Sequence, residues 1–95
     1  MNTKEKALTV PTVHLNGTSG QALYEQYIAV GRAIGLTLRA MEEASPNARD
    51  YYVQGEGFFA QALAEHTARV DALRGVGKEI SAIVESLFDA IHYRD

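Results

Sequence analysis

The chain contains no cysteine among its 95 residues. This absence excludes disulfide bonds, thiolate metal ligands and cysteine nucleophiles, and it is compatible with a reducing compartment. The three histidines, His14, His66 and His92, do not have the spacing of metal ligands. We therefore predict neither a metal site nor a cofactor.

Basic residues and long apolar runs are also scarce. Lysine and arginine number 9 against 12 acidic residues, a formal charge of −3, whereas a protein that coats a nucleic-acid backbone needs a surplus of positive charge. A nucleic-acid polymer is not an expected partner, although a small anionic ligand stays open. No stretch reaches the roughly 18 apolar residues of a membrane span, and no apolar run follows the N-terminus as in a secretory signal. We expect a cytoplasmic protein without membrane contact.

Signatures of catalysis are missing as well. The sequence has no cysteine–histidine pair, no acidic cluster at metal-ligand spacing and no serine in a turn between a strand and a helix. It also lacks a cofactor fingerprint. We therefore predict that the protein is not an enzyme.

One row of residues organises the second half of the chain. Its members recur at steps of four and three, which places them on one face of a long helix. Only a histidine and a glycine interrupt an otherwise apolar row. The members are Phe59, Leu63, His66, Val70, Leu73, Gly77, Ile80, Val84, Leu87 and Ile91.

A second, shorter helix is predicted before it. Asn16-Gly17-Thr18-Ser19-Gly20 combines turn residues with hydroxyls that can cap a helix start. Pro46 ends this helix because proline disfavours the helical conformation of the residue before it. Ahead of it, Pro11 and its β-branched neighbours favour an extended arm.

The predicted fold is all-α: a long antiparallel two-helix hairpin with an extended N-terminal arm, assembling as a homo-oligomeric helical bundle. We expect one domain over residues 1–95. Its predicted parts are a mobile tail (1–9), the extended arm (10–18), helix one (19–44), a polar connection (45–57) and helix two (58–93).

The unequal helix lengths predict an apolar overhang. If Ala44 lies near Gly57, then Gly20 lies near the early eighties, and the apolar residues of 83–91 extend past the end of helix one. Each such side chain left in water would forfeit roughly 1.5–3 kcal/mol. One thin arm cannot cover them together with the second apolar face of helix one. We therefore expect the chain to associate with itself.

The turn before helix one is the first candidate site. A helix start presents free N–H groups, and glycine lets the backbone approach closely, so the turn can hold a phosphate or carboxylate. It lacks the lysine and the glycine spacing of a P-loop. Two interpretations stay open: an anion site formed by His14, Asn16, Gly17 and Thr18, or plain helix capping by Thr18 or Ser19.

The polar connection is the second candidate site, with Arg49, Asp50, Tyr51, Tyr52 and Gln54. Arginine can bind an oxyanion through two parallel hydrogen bonds, and tyrosine can stack on a flat ring. These groups suit a nucleotide-like or aromatic acid ligand. In the alternative, Arg49 and Asp50 pair locally while the two tyrosines close the end of the bundle.

Two residues of helix two complete the candidates. His66, placed opposite Gly35 by the predicted register, is either a hydrogen-bonded core residue or a polar contact in a bundle cavity. Arg69 has the spacing of an i,i+4 ion pair with Glu65, worth a few tenths of a kcal/mol at a surface. The same register brings Arg69 level with Arg32; most such basic residues should be solvated, but these two would line a shared anionic pocket if they face the same way.

Three of these motifs carry a resemblance. His14-Leu15-Asn16-Gly17-Thr18-Ser19, Pro46-Asn47-Ala48-Arg49-Asp50-Tyr51-Tyr52 and Ala64-Glu65-His66 resemble an uncharacterised group of small helical proteins from phages, prophages and bacteria. The similarity extends from Val13 to about Leu73. It implies a phage or bacterial context and, for a phage protein, the host cytoplasm, but no activity.

Two functional hypotheses follow. In the first, a homo-oligomer binds a small anionic ligand of the nucleotide type between subunits, as a phage-encoded sponge for a host defence signal. Arg49, Tyr51 and Tyr52 would hold the ring and charge, while Asn16, Thr18 and the amides near Gly17 would hold the phosphate. In the second, the long helix docks on another protein as an assembly or inhibitor module.

Overall fold

The computed structural model describes residues 8–92. Within that range the chain is helical and has no strand: α1 spans Gly20–Glu43 and α2 spans Phe58–His92. Two short 3-10 turns, Ala48–Asp50 and Tyr52–Gln54, lie between them. The all-α class is thus confirmed. Residues 1–7 of the predicted tail and Tyr93, the predicted last residue of helix two, lie outside the described residues.

The ends of α1 follow the predicted signals. Ser19 caps its start, because the Ser19 Oγ accepts a hydrogen bond from the Ala22 N–H at 3.1 Å. At the other end, the Ser45 N–H donates to the Glu42 carbonyl at 3.2 Å, and Pro46 follows. The helix therefore ends where proline removes the next amide donor.

The chain divides into two compact units. Of the described residues, the terminal unit contains 8–31 and 78–92, and the central unit contains Arg32–Gly77. Each unit holds one stretch of α1 and one stretch of α2. The terminal unit also holds the N-terminal arm, and the central unit also holds the connection.

In the terminal unit the two helix stretches run antiparallel. A Cβ built on Gly20 would lie 3.0 Å from Ile91 Cγ1, and one built on Gly31 would lie 3.9 Å from Ile80. Between them, the rings of Tyr24 and Phe88 have centroids 6.2 Å apart. The start of α1 is therefore opposite the end of α2.

In the central unit the helix stretches are antiparallel too. A Cβ built on Gly77 would lie 3.6 Å from the Ile34 side chain, and Ser45 Oγ lies 3.5 Å from His66 Nε2. The end of α1 is therefore level with the third turn of α2. This arrangement leaves the first turns of α2 beside the connection.

The predicted register was wrong by about three helical turns. It placed Gly20 in the early eighties, Gly77 opposite Tyr24 and His66 opposite Gly35, whereas these three residues contact Ile91, Ile34 and Ser45. The error came from placing Ala44 directly against Gly57. Instead the connection folds back along the first turns of α2, where Tyr51 contacts Phe59.

The predicted overhang was wrong for the same reason. Residues 83–91 pair with the first turns of α1, and they include the two buried apolar side chains of the described residues, Ile83 at 9% and Leu87 at 1% exposure. The central unit buries only His66. Neither helix has a stretch long and apolar enough to cross a membrane.

Candidate functional site

The connection in the central unit has an ordered backbone. The Asn47 side-chain oxygen accepts a hydrogen bond from the Arg49 N–H at 3.0 Å, an asparagine turn that starts the first 3-10 turn. The Asp50 and Tyr51 N–H groups then donate to the Asn47 and Ala48 carbonyls, both at 3.0 Å. These hydrogen bonds order the backbone that carries the candidate side chains, and we call this segment, residues 47–54, the frame.

The two tyrosines of this frame have different surroundings. The Tyr51 ring is half-buried and packs on Phe59, with the two centroids 6.3 Å apart and the rings tilted by 45°. Tyr52 is 73% exposed, and its neighbour Val53 is 78% exposed. One tyrosine therefore covers the start of α2, as the structural alternative expects, while the other leaves its ring free for stacking.

Arg49 and Asp50 do not pair with each other. Both are exposed, and the ion pair found among residues 8–92 joins Arg69 to Glu65 at 3.8 Å, as predicted. Asp50 carries its negative charge next to Arg49 in sequence. The Arg49 guanidinium is nevertheless available to an external acceptor.

A small pocket of about 130 Å³ lies beside the connection. Tyr51, Gln54 and Phe58 line it, together with Gln61 and Glu65 of α2. The Gln61 side-chain N–H donates to the Glu65 carboxylate at 3.2 Å, which holds that carboxylate in the lining of the pocket. A carboxylate in the lining disfavours an anion there, and the exposed Arg49 and Tyr52, which do not line this pocket, are better suited to one.

Two glycines close the connection with backbone angles that other residues rarely adopt. Gly55 has φ of 116° and Gly57 has φ of 89°. Side chains are strained in this region of backbone space, so glycine is required for the chain to turn into α2. The predicted polar connection therefore ends at two positions that favour glycine.

The turn before α1 lies in the terminal unit. The Gly17 N–H donates to the His14 carbonyl at 3.2 Å, and the His14 ring covers Gly17 so closely that a Cβ there would be 2.7 Å from Nε2. Capping is carried out by Ser19, one of the two residues expected. Phosphate binding by the exposed Asn16 and Thr18 side chains stays a prediction, but the Gly17 amide is already bonded.

His66 is the one buried polar side chain of the described residues, at 8% exposure. Its Nε2 lies 3.5 Å from Ser45 Oγ, at the outer limit of a hydrogen bond. Arg69 sits on the same helix, and the corrected register no longer brings it level with Arg32. The pocket predicted between these two arginines is therefore not formed.

Sequence reasoning missed several residues that the central unit brings together. Glu42, Ser45, Asp71 and Arg74 surround the same cavity as His66. No local motif marks them, because their proximity depends on the register between α1 and α2. The two main predicted sites, in contrast, were contiguous stretches: residues 14–18 belong to the terminal unit and residues 49–54 to the central unit, which also contains His66 and Arg69.

Comparisons with protein-family models, with curated proteins and with solved structures returned no match.

Proposed function

We propose that the protein is a non-enzymatic, homo-oligomeric binding protein for a small anionic ligand of the nucleotide type. The observation that supports this proposal is the connection in the central unit. Its backbone is fixed by hydrogen bonds, yet Tyr52 is 73% exposed and Arg49 has no ion-pair partner within residues 8–92. A flat ring and a planar cation held on a rigid frame are the groups that a nucleotide needs.

The energetics of such a frame are favourable. Stacking of a base on an aromatic side chain contributes about 1–3 kcal/mol, and a charge-assisted hydrogen bond from arginine contributes about as much. Because the Asn47 cap already orders the backbone at Arg49, less conformational entropy is lost on binding. Tyr51 packs on Phe59 and so attaches the frame to α2. Gln54 offers a side-chain amide as a further hydrogen-bonding group.

Self-association is the second part of the proposal. Within residues 8–92 only Ile83 and Leu87 are buried apolar side chains, which is a small core for a chain of this length. A second copy would cover further apolar surface and complete a binding site at its edge. Light scattering should then return a multiple of the 10.4 kDa chain mass, and the mass of one chain would contradict this part.

The biological setting of the proposal rests on the resemblance to small phage, prophage and bacterial proteins. A phage protein that holds a nucleotide signal without converting it would act in the host cytoplasm as a sponge for a defence signal. Its effect would depend on stoichiometry, because each site removes one signal molecule. Overexpression should therefore titrate the signal, and no product of the signal should accumulate.

Calorimetry against a panel of cyclic and linear nucleotides tests the binding. One member should give saturable heat, and Arg49→Ala should weaken it about ten- to a hundredfold through loss of a charge-assisted bond. Tyr52→Phe should bind nearly as well as the wild type, whereas Tyr52→Ala should lose the stacking contribution. Arg39→Ala, on the exposed side of α1, is the matched control and should leave affinity unchanged.

A flat response across the whole panel would count against nucleotide binding. It would favour docking on another protein, the second candidate function. That candidate, docking through the long helix, is supported by apolar side chains of α2 left open to solvent, Val76 at 48%, Phe58 at 45% and Leu63 at 41% exposure. Leu63→Asp and Val76→Asp should then abolish function while Arg49→Ala does little.

A further inference from the structure

The central unit buries a histidine without giving it a strong partner. The Nε2 of His66 has one hydrogen-bond partner within residues 8–92, Ser45 Oγ at 3.5 Å, and no hydrogen bond of its Nδ1 is found there. A buried polar group whose hydrogen bonds are not made costs about 1–3 kcal/mol. Buried polar atoms nearly always make hydrogen bonds in proteins. A bound molecule would supply the hydrogen bond that this imidazole lacks.

His66 lines an open cavity of about 220 Å³ between the α1 and α2 stretches of the central unit. Apolar side chains and polar side chains both contribute to its wall, as in small-molecule sites. The volume is below the range of about 300–1,000 Å³ that drug-sized ligands occupy, so a whole nucleotide is too large. The other lining residues are Leu38, Glu42, Ser45, Thr67, Val70, Asp71 and Arg74.

The polar part of this lining is rich in hydrogen-bond acceptors. Two carboxylates, Glu42 on α1 and Asp71 on α2, can only accept when ionised. The hydroxyls of Ser45 and Thr67 accept as well, and neutral His66 accepts through one ring nitrogen. Arg74 is the one lining side chain that can only donate. The cavity therefore suits a ligand with several donors and a positive charge.

We propose that this cavity binds a small organic cation with a primary ammonium group. The ammonium supplies three N–H donors, and neutral His66 accepts one of them at the buried end. The carboxylates of Glu42 and Asp71 balance its charge, while Leu38 and Val70 contact a short carbon chain. The site is independent of the proposed nucleotide site, whose ligand carries the opposite charge.

The charges of the lining residues predict whether each substitution weakens or strengthens binding. Glu42→Gln and Asp71→Asn should each weaken binding about three- to fivefold, the upper end of what an exposed ion pair contributes. Arg74→Gln should strengthen binding, because it removes the like charge from the rim. Glu43→Gln, next to Glu42 in sequence but not part of the lining, should have no effect.

Nuclear magnetic resonance of the full chain is the test, with ethanolamine as the probe and ethylene glycol as its uncharged match. At pH 7.5 ethanolamine should shift the ring signals of His66 saturably, and ethylene glycol should not. His66→Gln keeps a hydrogen-bond acceptor at this position, so it should still bind ethanolamine.

Two results would overturn the proposal. The first is a response to ethylene glycol as large as the response to ethanolamine, which would mean that charge is not recognised. The second is the absence of any saturable shift at His66 while the protein remains folded by circular dichroism. Failure here leaves the nucleotide panel unaffected, because neither Arg49 nor Tyr52 lines this cavity.

Discussion

The terminal and central units are built from stretches of the same two helices, yet they bury different kinds of side chain. The terminal unit buries Ile83 and Leu87, and the central unit buries His66 alone. Both contain an antiparallel helix pair. The difference therefore lies in what else each unit contains.

A pair of helices has a seam but little interior, and a third segment is needed to enclose side chains. In the terminal unit the arm provides it: the Val13 side chain meets the position that a Cβ on Gly20 would occupy, at 3.2 Å. In the central unit the connection packs at the start of α2, through Tyr51 and Phe59. There the seam stays open, and the cavity beside His66 lies along it.

The largest expected effect is on the buried leucine of the terminal unit. Leu87→Ala should lower the free energy of unfolding by about 2–5 kcal/mol, because it removes packed atoms and leaves a cavity. Leu36→Ala, at a side chain 63% exposed in the central unit, should change it by less than about 0.5 kcal/mol. Urea denaturation followed by circular dichroism measures both. Equal losses would mean that the two units are packed alike in solution.

Glycine substitutions should have opposite signs in the two units. A Cβ at Gly20 would lie 3.0 Å from Ile91 Cγ1, so Gly20→Ala should destabilise by about 1–3 kcal/mol through overpacking. Gly35 has nothing within 4 Å of such a Cβ, so Gly35→Ala should stabilise by up to about 1 kcal/mol through helix propensity. Thermal unfolding of both variants checks this. Destabilisation by Gly35→Ala that grows with protein concentration would place a second copy against that face.

Capping substitutions should give the smallest effects on stability. Ser19→Ala removes the cap of α1 in the terminal unit and should cost about 1 kcal/mol. Asn47→Ala removes one bond from a three-residue turn and should cost about 0.5 kcal/mol, yet it should weaken nucleotide binding by freeing the backbone at Arg49. Thr18→Ala is the control for Ser19. A nucleotide affinity unchanged by Asn47→Ala would argue against a preorganised frame.

Helix type and helix ends could be predicted because their causes are local. The apolar row of α2, the serine before α1 and the proline after it act within a few residues. The register could not be predicted in this way, because it depends on how the connection folds. No pattern in residues 46–57 predicts that Tyr51 packs on Phe59. Because of this packing, the first turns of α2 lie beside the connection, and only the later turns lie beside α1.

The candidate sites differ in the same respect: one is a contiguous stretch of sequence, and the other depends on the register between the helices. Arg49, Tyr52 and Gln54 were found as a contiguous polar stretch, and the structure places them on one ordered segment. The lining of the His66 cavity comes from both helices, so only the correct register assembles it. A sequence pattern can identify His66 as an interruption of an apolar row, but not the carboxylates that line the same cavity.

The contact of Gly20 with Val13 and Ile91 also bears on how the chain folds. Closing the central unit at Ser45 and His66 requires a loop of 21 residues, whereas the contact between Gly20 and Ile91 joins nearly the whole described chain. Loop closure costs more entropy as the loop lengthens, and contacts between distant residues form slowly. The two helices should therefore pack against each other first near the connection. The contacts that bury Ile83 and Leu87 should form late. Substitutions there should mainly accelerate unfolding, and those around His66 should mainly slow folding.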